Sequence, residues 1–340
     1  MDRPPQDDID TLLNGFRTLL ESYRPADPDA AVNPADAFFM YRLLLGRNPN
    51  AAAELPALLH EPVTFRELRQ GVLDSDEFAK GGSLSPPHRL WMTALEDFRF
   101  WFNTSDRDMG VVMATGQYEP ESVRLIRKIL RPGMTCIDAG AQTGFYTCLM
   151  ASVVGEGGMV HAFEPMPASY ELLVKNVQEN RFEARVRTYR LACSNAATEI
   201  EASQVGAMYV AGAVPGCPPV SMRSIRVDEI VQEPVGLIKI DVEGHEPAAI
   251  EGMRDLIRRS HPVIVSECNE YWLKNCSGTS SGAYVGLLNS FGYHVFDIND
   301  LSVAVTPDSP VLQHLPIFDV IALPPESLDD DGRARLAVTT

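Results

Sequence analysis

The N-terminal part of the chain carries apolar side chains at helical spacing. They recur every three or four positions, the pattern of an amphipathic helix, at Ile9, Leu12, Leu13, Phe16, Leu20 and Tyr23. Pro34 starts a second predicted helix, and Thr64 caps a third one that ends at Gly81 and Gly82. We therefore predict a small all-helical module over residues 1–80, followed by a linker over residues 81–98 that begins with a stretch rich in Gly, Ser and Pro.

From residue 121 onward, short apolar runs alternate with helical stripes. The predicted strands read TCID, MVHAF, VRTYRL, GLIKI, PVIVS, YHVF and FDVIAL, and a short strand-like piece precedes them at 99–103. Strands that alternate with helices are typical of a parallel sheet covered on both faces, and continuous apolar runs indicate strands buried on both sides. The sequence therefore predicts an α/β fold with a seven-stranded, doubly wound sheet over residues 99–327 and a flexible tail at 328–340.

Two features of this region are less regular. Residues 194–224 interrupt the alternation and are long for a connection in a compact domain, so we predict either an extra hairpin or a lid over a site. Ile250, Met253 and Ile257 have the spacing of one helix between the fourth and fifth strands.

The overall charge narrows the function classes. The chain has 340 residues and a formal net charge of −17, which argues against nucleic acid and anionic membranes as partners because both are bound by clustered Lys and Arg. No apolar run approaches the roughly 20 residues needed to span a bilayer, and the start MDRPPQDDID lacks the features of a signal peptide. Six cysteines without a Cys-x-x-Cys pair argue against zinc, so we expect a cytoplasmic protein with packed, free thiols.

A glycine-rich turn follows the first strand of the sheet, in the sequence CIDAGAQTGFYT. Its Asp138, Gly140 and Gly144 form the pattern D-x-G-x-x-x-G, in which glycine lets the backbone approach a ligand and the helix N-terminus offers free N–H groups. Glu164 ends the next strand, 20 residues after Gly144, about the distance at which an acidic side chain meets a nucleotide ribose in such folds. A helix-capping Asp138 beside two turn glycines is the structural alternative.

The acid in this turn discriminates between nucleotide cofactors. A dinucleotide fingerprint has a third glycine close to the pyrophosphate, and the Asp138 carboxylate would repel that group. The same carboxylate suits a ligand that carries an ammonium and a sulfonium. We therefore predict S-adenosylmethionine as the cofactor, with a nicotinamide dinucleotide as the less favoured alternative.

A second polar cluster follows the fourth strand, in the sequence LIKIDVEGHEP at residues 237–247. Ligands of doubly wound sheets bind beyond the C-terminal strand ends, near the switch in strand order. Asp241 is therefore expected to face the same cleft as Asp138, with Lys239 on the same side of the sheet. Glu246 and Pro247 suit the first turn of the next helix.

We predict that Asp241, His245 and Glu243 are the catalytic residues of this cluster. Asp241 orients the acceptor or stabilises the sulfonium. His245 is the candidate general base because its ordinary pKa lies near neutrality, and an Asp is the alternative group to take the proton. A structural role is the alternative for Glu243, and a solvated loop position is the alternative for His245.

Several stretches together resemble the FkbM-type S-adenosylmethionine-dependent methyltransferases over about residues 118–296: TCIDAGAQTGFYTCLMA, VHAFEPMPASYELLVKNVQEN, LIKIDVEGHEPAAIEGM and PVIVSE. The resemblance implies a Rossmann-like class I methyltransferase fold, mostly parallel, with an antiparallel seventh strand. It implies that Glu164 holds the ribose hydroxyls and that Pro165 and Met166 flank the adenine. Gln142 departs from the family, which usually has Asn there. The predicted cofactor-binding residues are Asp138, Gly140, Gln142, Thr143, Gly144, Glu164, Pro165 and Ala192.

A second resemblance concerns the N-terminal module. YRLLLGRNPN and LRQGVLDSDEFA, within about residues 30–80, resemble a short helical domain family of unknown function that is similar in part to phycobilisome linker domains. The resemblance implies an interaction role, so we predict a protein partner for this module and no catalysis.

The sequence thus predicts an enzyme that methylates a hydroxyl of a sugar, glycan or natural product. A nicotinamide-dependent oxidoreductase and a non-catalytic scaffold are the alternatives, and N-methylation stays open. A magnesium-assisted reaction through Asp241 and Glu267 is less favoured, because two carboxylates are a thin ligand set for a cation that prefers oxygen-rich coordination. No resident metal is therefore predicted.

Overall fold

The computed structural model of the protein describes residues 90–103, 110–114, 118–205, 208–212, 219–314 and 317–328, with the single positions 41, 64, 67, 68, 71, 116, 217 and 330. Contacts divide the chain into two compact units, Met1–Leu90 and Trp91–Thr340. The helices predicted for residues 1–80 and the predicted tail fall almost entirely outside the described residues, so both stay predictions, as do the domain boundaries.

Thirteen strands lie in the described residues, numbered here in chain order. They are β1 (Leu90–Ala94), β2 (Arg99–Asn103), β3 (Thr135–Ala139), β4 (Met159–Phe163), β5 (Val186–Tyr189), β6 (Ala192–Cys193), β7 (Glu199–Val205), β8 (Met208–Ala211), β9 (Pro219–Ile225), β10 (Leu237–Ile240), β11 (Val263–Asn269), β12 (His294–Asp297) and β13 (Ile317–Leu323). β1, which pairs with β2, occupies part of the segment predicted as linker.

The described helices are α1 (Gly110–Ala114), α2 (Pro120–Ile129), α3 (Phe145–Val154), α4 (Pro167–Glu179), α5 (Glu246–Gly252), α6 (Arg254–Ser260), α7 (Glu270–Trp272), α8 (Ser281–Ser290) and α9 (Val311–His314). A π-helical turn, Leu273–Ser277, follows α7, and 3₁₀ turns occur at Val227–Glu229 and Pro325–Ser327. Among these described helices, none is long and apolar enough to cross a membrane.

Seven strands form the central sheet in the order β12-β13-β11-β10-β3-β4-β5. β13 is antiparallel to both of its neighbours, and the remaining pairs are parallel. The predicted α/β fold, the seven strands and the antiparallel seventh strand are confirmed. From β3 the chain winds outward through β4 to β5, then returns to β10 on the other side of β3. The strand order therefore switches between β3 and β10.

The middle of this sheet is buried, as the apolar runs predicted. Ile137, Ile238 and Ile264 lie side by side on β3, β10 and β11, and each is at most 1% exposed. Full burial of one such side chain contributes roughly 1.5–3 kcal/mol. This row therefore stabilises the pairing of the strands whose ends build the candidate site.

The irregular segment 194–224 forms most of a second sheet, in the order β6-β9-β7-β8. β7 is antiparallel to both β8 and β9, while the short β6 runs parallel to β9. The segment is thus a set of hairpin strands, the first of the two predicted alternatives. Ala211 and Met222 of this sheet also line the cleft described below.

The prediction of one helix across Ile250, Met253 and Ile257 is wrong, because α5 ends at Gly252 and α6 begins at Arg254, with Met253 between them. Gly252 lies against the backbone of Ser194, where a Cβ would come within 1.9 Å of the carbonyl oxygen. Close packing therefore requires glycine here, and glycine is a poor helix former. Apolar spacing alone carried no sign of this break.

We expect a shortened chain that begins near His88 to fold and to bind S-adenosylmethionine, because β1, β2 and the central sheet all follow that point. A chain that begins at Thr104 is the matched control. It loses Phe100 and Phe102, which are 0% and 2% exposed, and should unfold or aggregate. Thermal unfolding and calorimetric titration check both chains. An insoluble or non-binding chain from His88 would show that the predicted domain boundary is misplaced.

Candidate active site

The candidate site lies at the switch point, where the turn after β3 meets the loop after β10. The N–H of Asp241 donates to the carbonyl of Ala139 at 2.9 Å, which joins the two segments. Gly140, with φ of 85°, permits this contact, because a Cβ there would lie 1.8 Å from the carbonyl oxygen of Asp241. Strand packing itself therefore requires the first glycine of the predicted turn.

The rest of the turn is held by β4 and α4. The N–H groups of Gly140 and Ala141 donate to the carbonyl of Phe163 at 3.0 and 2.9 Å. Gln142 adopts the left-handed conformation with φ of 48°, and Gly144 has φ of 91° directly before α3. A Cβ at Gly144 would also come within 2.7 Å of a Leu173 side-chain carbon. Both predicted glycine positions thus have conformations that disfavour other residues.

Glu164 reaches back to this turn from the end of β4. Its Oε2 accepts from the N–H of Gln142 at 2.9 Å and its Oε1 from the N–H of Met166 at 2.8 Å. Burial raises the pKa of Glu164 to about 7, although both N–H donors stabilise the charge. Each carboxylate oxygen has two lone pairs, so Glu164 can accept further bonds from hydroxyls in the cleft while it stays fixed.

Asp138 is buried at the end of β3 and contacts the first turn of α3. Its Oδ2 accepts from the hydroxyl of Thr147 at 2.5 Å. Burial raises the pKa of Asp138 to about 6, opposed by this hydroxyl and by Lys239. Asp138 therefore combines the predicted place in the cleft with a structural contact to the helix.

A buried lysine organises the other half of the site. Lys239 is 1% exposed, and its Nζ lies 3.3 Å from Oδ2 of Asp241 and 3.8 Å from Oε2 of Glu119. Burial alone would lower the pKa of Lys239, but Asp241, Glu119 and Asp319 together outweigh it and hold that pKa well above its ordinary value. The ammonium therefore stays charged and fixes Asp241 at the edge of the cleft.

Four residues that contact this network were not predicted from the sequence. Glu119 precedes α2 with φ of 40° and accepts from the hydroxyl of Tyr146 at 2.6 Å. Asp319 on β13 accepts from the hydroxyl of Ser122 at 2.5 Å. Of these four residues, Asp319 alone left a sign in the sequence, as an acid inside the apolar run FDVIAL.

The three predicted catalytic residues all line the same cleft. Burial, with smaller contributions from Asp241 and Glu246, raises the pKa of Glu243 to about 8. His245 places Nε2 3.0 Å from the hydroxyl of Ser194, and burial lowers the pKa of its imidazole. At pH 7 the imidazole is therefore free to accept a proton, whereas Glu243 holds one.

Glu246, the first residue of α5, holds the loop between β10 and α5 by hydrogen bonds to its backbone. Its Oε1 accepts from the N–H groups of Val242 and Gly244, both at 3.1 Å. Gly244 has φ of 88°, and a Cβ there would lie 2.4 Å from the carbonyl oxygen of Trp272. The loop is thus fixed from both sides, in agreement with the structural role expected for Glu246.

A cleft of about 950 Å³, counted to its open mouth, connects the two halves. The predicted residues that line it are Asp138, Gly140, Gln142, Glu164, Pro165, Ala192, Asp241, Glu243 and His245. Thr143 and Gly144 are not among its lining residues. They shape the turn instead, Gly144 through its backbone conformation and Thr143 through its carbonyl.

The alternative magnesium site would require Glu267 beside Asp241. Oε2 of Glu267 is buried and makes no hydrogen bond to any described residue. Burial, then the charge of Asp241, raises the pKa of Glu267 well above its ordinary value, and a carboxyl must lose its proton to bind a metal. In the part of the chain that the structure describes, no three His, Cys, Asp or Glu side chains are arranged to hold a metal ion.

Comparison with known proteins places this site in context. Hexuronic acid methyltransferase AglP of Haloferax volcanii is 25% identical to this chain over 151 residues, which are 43% of this chain and 61% of that protein. The chain thus matches less than two thirds of the length of this curated relative.

Two solved structures are also similar. A methyltransferase FkbM from Methylobacillus flagellatus has 17% identity and a TM-score of 0.37, over 62% of this chain and 53% of that one. A putative rRNA methylase from Clostridium thermocellum has 15% identity and a TM-score of 0.38, over 60% and 94%.

The family model described as the methyltransferase FkbM domain matches residues 138–295, a stretch that starts at Asp138 of the glycine turn and includes Glu164 and the acidic loop. Residues 138–295 of this chain are therefore a methyltransferase FkbM domain.

Proposed function

We propose that this protein transfers a methyl group from S-adenosylmethionine to a hydroxyl oxygen of a sugar, glycan or natural product. The observation that carries the proposal is Glu164. Its buried carboxylate is held by N–H groups of the glycine turn and of the next segment, and it faces the cleft. A fixed acceptor of this kind, at the end of the second parallel strand, suits a ribose diol.

Other residues that line the cleft near Glu164 also suit S-adenosylmethionine. Pro165 and Met166 offer apolar surface beside Glu164 for the adenine. Asp138 and Asp241 offer negative charge at the strand ends, where the ammonium and the sulfonium of the cofactor would lie. When bound, S-adenosylmethionine supplies a methyl group that is already activated by its sulfonium.

The acceptor side supplies what a hydroxyl needs. Its oxygen must lie about 3–3.5 Å from the methyl carbon, and its proton must be removed. Asp241, held by Lys239, orients the acceptor. His245, oriented by Ser194, takes the proton, because burial keeps the imidazole neutral. Glu243 keeps its own proton below about pH 8 and can donate a hydrogen bond to the acceptor molecule.

Charge in the cleft also favours a hydroxyl over a carboxylate acceptor. Lys239, the one cation among the described lining residues, is already paired with Asp241 and Glu119. A carboxylate acceptor would face Asp241 without a free cation, and it needs no base. The similarity to a hexuronic acid methyltransferase supports a sugar as the molecule that carries the hydroxyl.

The two alternative functions use these features less well. A non-catalytic scaffold would gain nothing from a buried Lys239, Glu164 and Asp138, because burying ionisable groups opposes folding unless they are paired. A nicotinamide-dependent enzyme would have to place its pyrophosphate beside the carboxylate of Asp138.

We expect Glu164→Ala to weaken S-adenosylmethionine binding by roughly 1–3 kcal/mol, the cost of leaving buried hydrogen-bonding groups without partners. This is about tenfold to a hundredfold in affinity. Glu171→Ala, on the exposed face of α4, is the matched control and should bind like wild type. Calorimetry on both folded variants measures the difference, and equal affinities would remove Glu164 from the site.

We expect cofactor affinity to rise with pH between about 5 and 8. Burial raises the pKa of Asp138 to about 6 and that of Glu164 to about 7, so both hold protons at low pH. A bound diol and cation favour the charged carboxylates, so affinity should increase as these groups ionise and level off above pH 8. In the Glu164→Gln variant, the part of the rise in affinity that comes from ionisation of Glu164, at the higher pH, should be absent. A flat profile for S-adenosylmethionine in the wild type would contradict the assignment.

We expect His245→Ala to lower turnover by about a hundredfold with little change in cofactor affinity. Because burial lowers the pKa of His245, the rising limb of the wild-type pH–rate profile should lie below pH 6.5, the ordinary histidine value, and disappear in the variant. Asp241→Asn should keep the fold and also lose turnover. Profiles with and without EDTA complete the measurement. Full activity in both variants would make this loop a passive turn, and activity restored only by Mg²⁺ would assign Asp241 and Glu267 to a metal.

A further inference from the structure

Strand β2 pairs with β1, and two asparagine side chains also hydrogen-bond to its backbone. Asn180, just after α4, accepts from the N–H of Arg99 at 2.7 Å and donates to its carbonyl at 2.7 Å. Asn176, one turn earlier, accepts from the N–H of Trp101 at 2.6 Å and donates to its carbonyl at 2.9 Å. Each amide thus replaces the backbone of a neighbouring strand.

Asn180 also donates to the backbone carbonyl of Asn176 at 2.8 Å, whereas Asn176 makes a further bond to the glycine turn. Its second amide hydrogen donates to the carbonyl of Thr143 at 2.8 Å, inside the glycine turn. Asn176 is fully buried, with an exposed fraction of 0%. Both donors and the acceptor of its amide are therefore committed, and they join β2 and the turn at one rigid point.

An aromatic cluster joins the same two segments by a second route. The ring of Phe145, the first residue of α3, makes edge contacts with Phe98 and Phe100 at centroid distances of 5.8 Å each. Phe145 also lines the cleft, whereas Phe98 and Phe100 are buried and do not line it. Strand β2 thus packs behind the turn without reaching the ligand space.

We infer that Asn176 is a positioning residue of the cofactor site, through which strand β2 holds the glycine turn in its binding conformation. The inference rests on the proposed function, because it concerns the affinity for S-adenosylmethionine. Gln142, next to Thr143, has a left-handed backbone and donates its N–H to Glu164. Release of the Thr143 carbonyl frees this strained segment to relax, and the N–H that fixes Glu164 moves with it.

The pair of asparagines provides the test on the full-length protein. Asn176→Ala and Asn180→Ala each remove one bidentate contact with β2, so both should lower the unfolding midpoint. Asn176→Ala alone also removes the bond to the turn. We expect it to weaken binding of S-adenosylhomocysteine by about tenfold, while Asn180→Ala stays within about twofold of wild type. Affinities are compared at a temperature where all three proteins are folded.

Hydrogen exchange on the wild-type protein tests the same link if Asn176→Ala does not fold. Coupling between two sites is reciprocal, so saturation with S-adenosylhomocysteine should slow exchange at the N–H groups of Arg99 and Trp101, which lie outside the cleft. Unchanged exchange there, with protection at the turn, would overturn the inference, as would equal losses of affinity in the two variants. If the wild-type protein binds no S-adenosylhomocysteine, the proposed function fails and the inference fails with it. If the wild type binds but the two variants lose affinity equally, only the inference fails.

Discussion

The contact between Gly140 and the carbonyl oxygen of Asp241 sets the spacing of the whole site. Strands β3 and β10 pair so that Asp138 lies opposite Lys239 and Ala139 opposite Ile240. The cofactor turn and the acidic loop therefore start from adjacent positions of one hydrogen-bonded ladder. A side chain at position 140 would collide with the backbone of Asp241 and separate them. The same missing Cβ thus places the cofactor side and the acceptor side within reach of each other.

The electrostatics of the cleft follow from this spacing. Asp138, Glu164 and Glu243 have pKa values raised by burial to about 6, 7 and 8, so their charge changes across the physiological range. Lys239 is the buried cation that keeps the Asp241 side of the cleft ordered. Attraction between a cation and a carboxylate at such distances is worth several kcal/mol in a partly buried site. Lys239 is already paired with Asp241 and Glu119, so a cofactor with a positive sulfonium adds positive charge to a cleft in which carboxyl groups outnumber cations.

How far the sequence could predict this site depends on how many residues separate the two partners of each interaction along the chain. The glycine turn, Glu164 and the loop at Asp241 follow strand ends, and strand ends are visible as the close of an apolar run. Glu119 and Asn176 have no such sign, because their partners lie 120 and 75 residues away along the chain. An asparagine on a helix reads as an ordinary polar position until its depth of burial is known. The break at Gly252 was hidden for the same reason, since Ser194 causes it from 58 residues away.

Several residues of the candidate site have a strained backbone conformation. Five non-glycine residues of the described chain have positive φ, and Glu119, Gln142 and Glu243 belong to the site. Such conformations cost about 1–3 kcal/mol each and persist only where the surroundings determine them. Glu119 is held by Tyr146 and Lys239, Gln142 by Glu164, and the loop of Glu243 by Glu246. In all three cases an acid supplies the restraint or is itself restrained. Glu164 therefore has two effects at once: it faces the cleft, and it stabilises the strained backbone of the glycine turn. Glu246 has only the second effect, on the loop of Glu243.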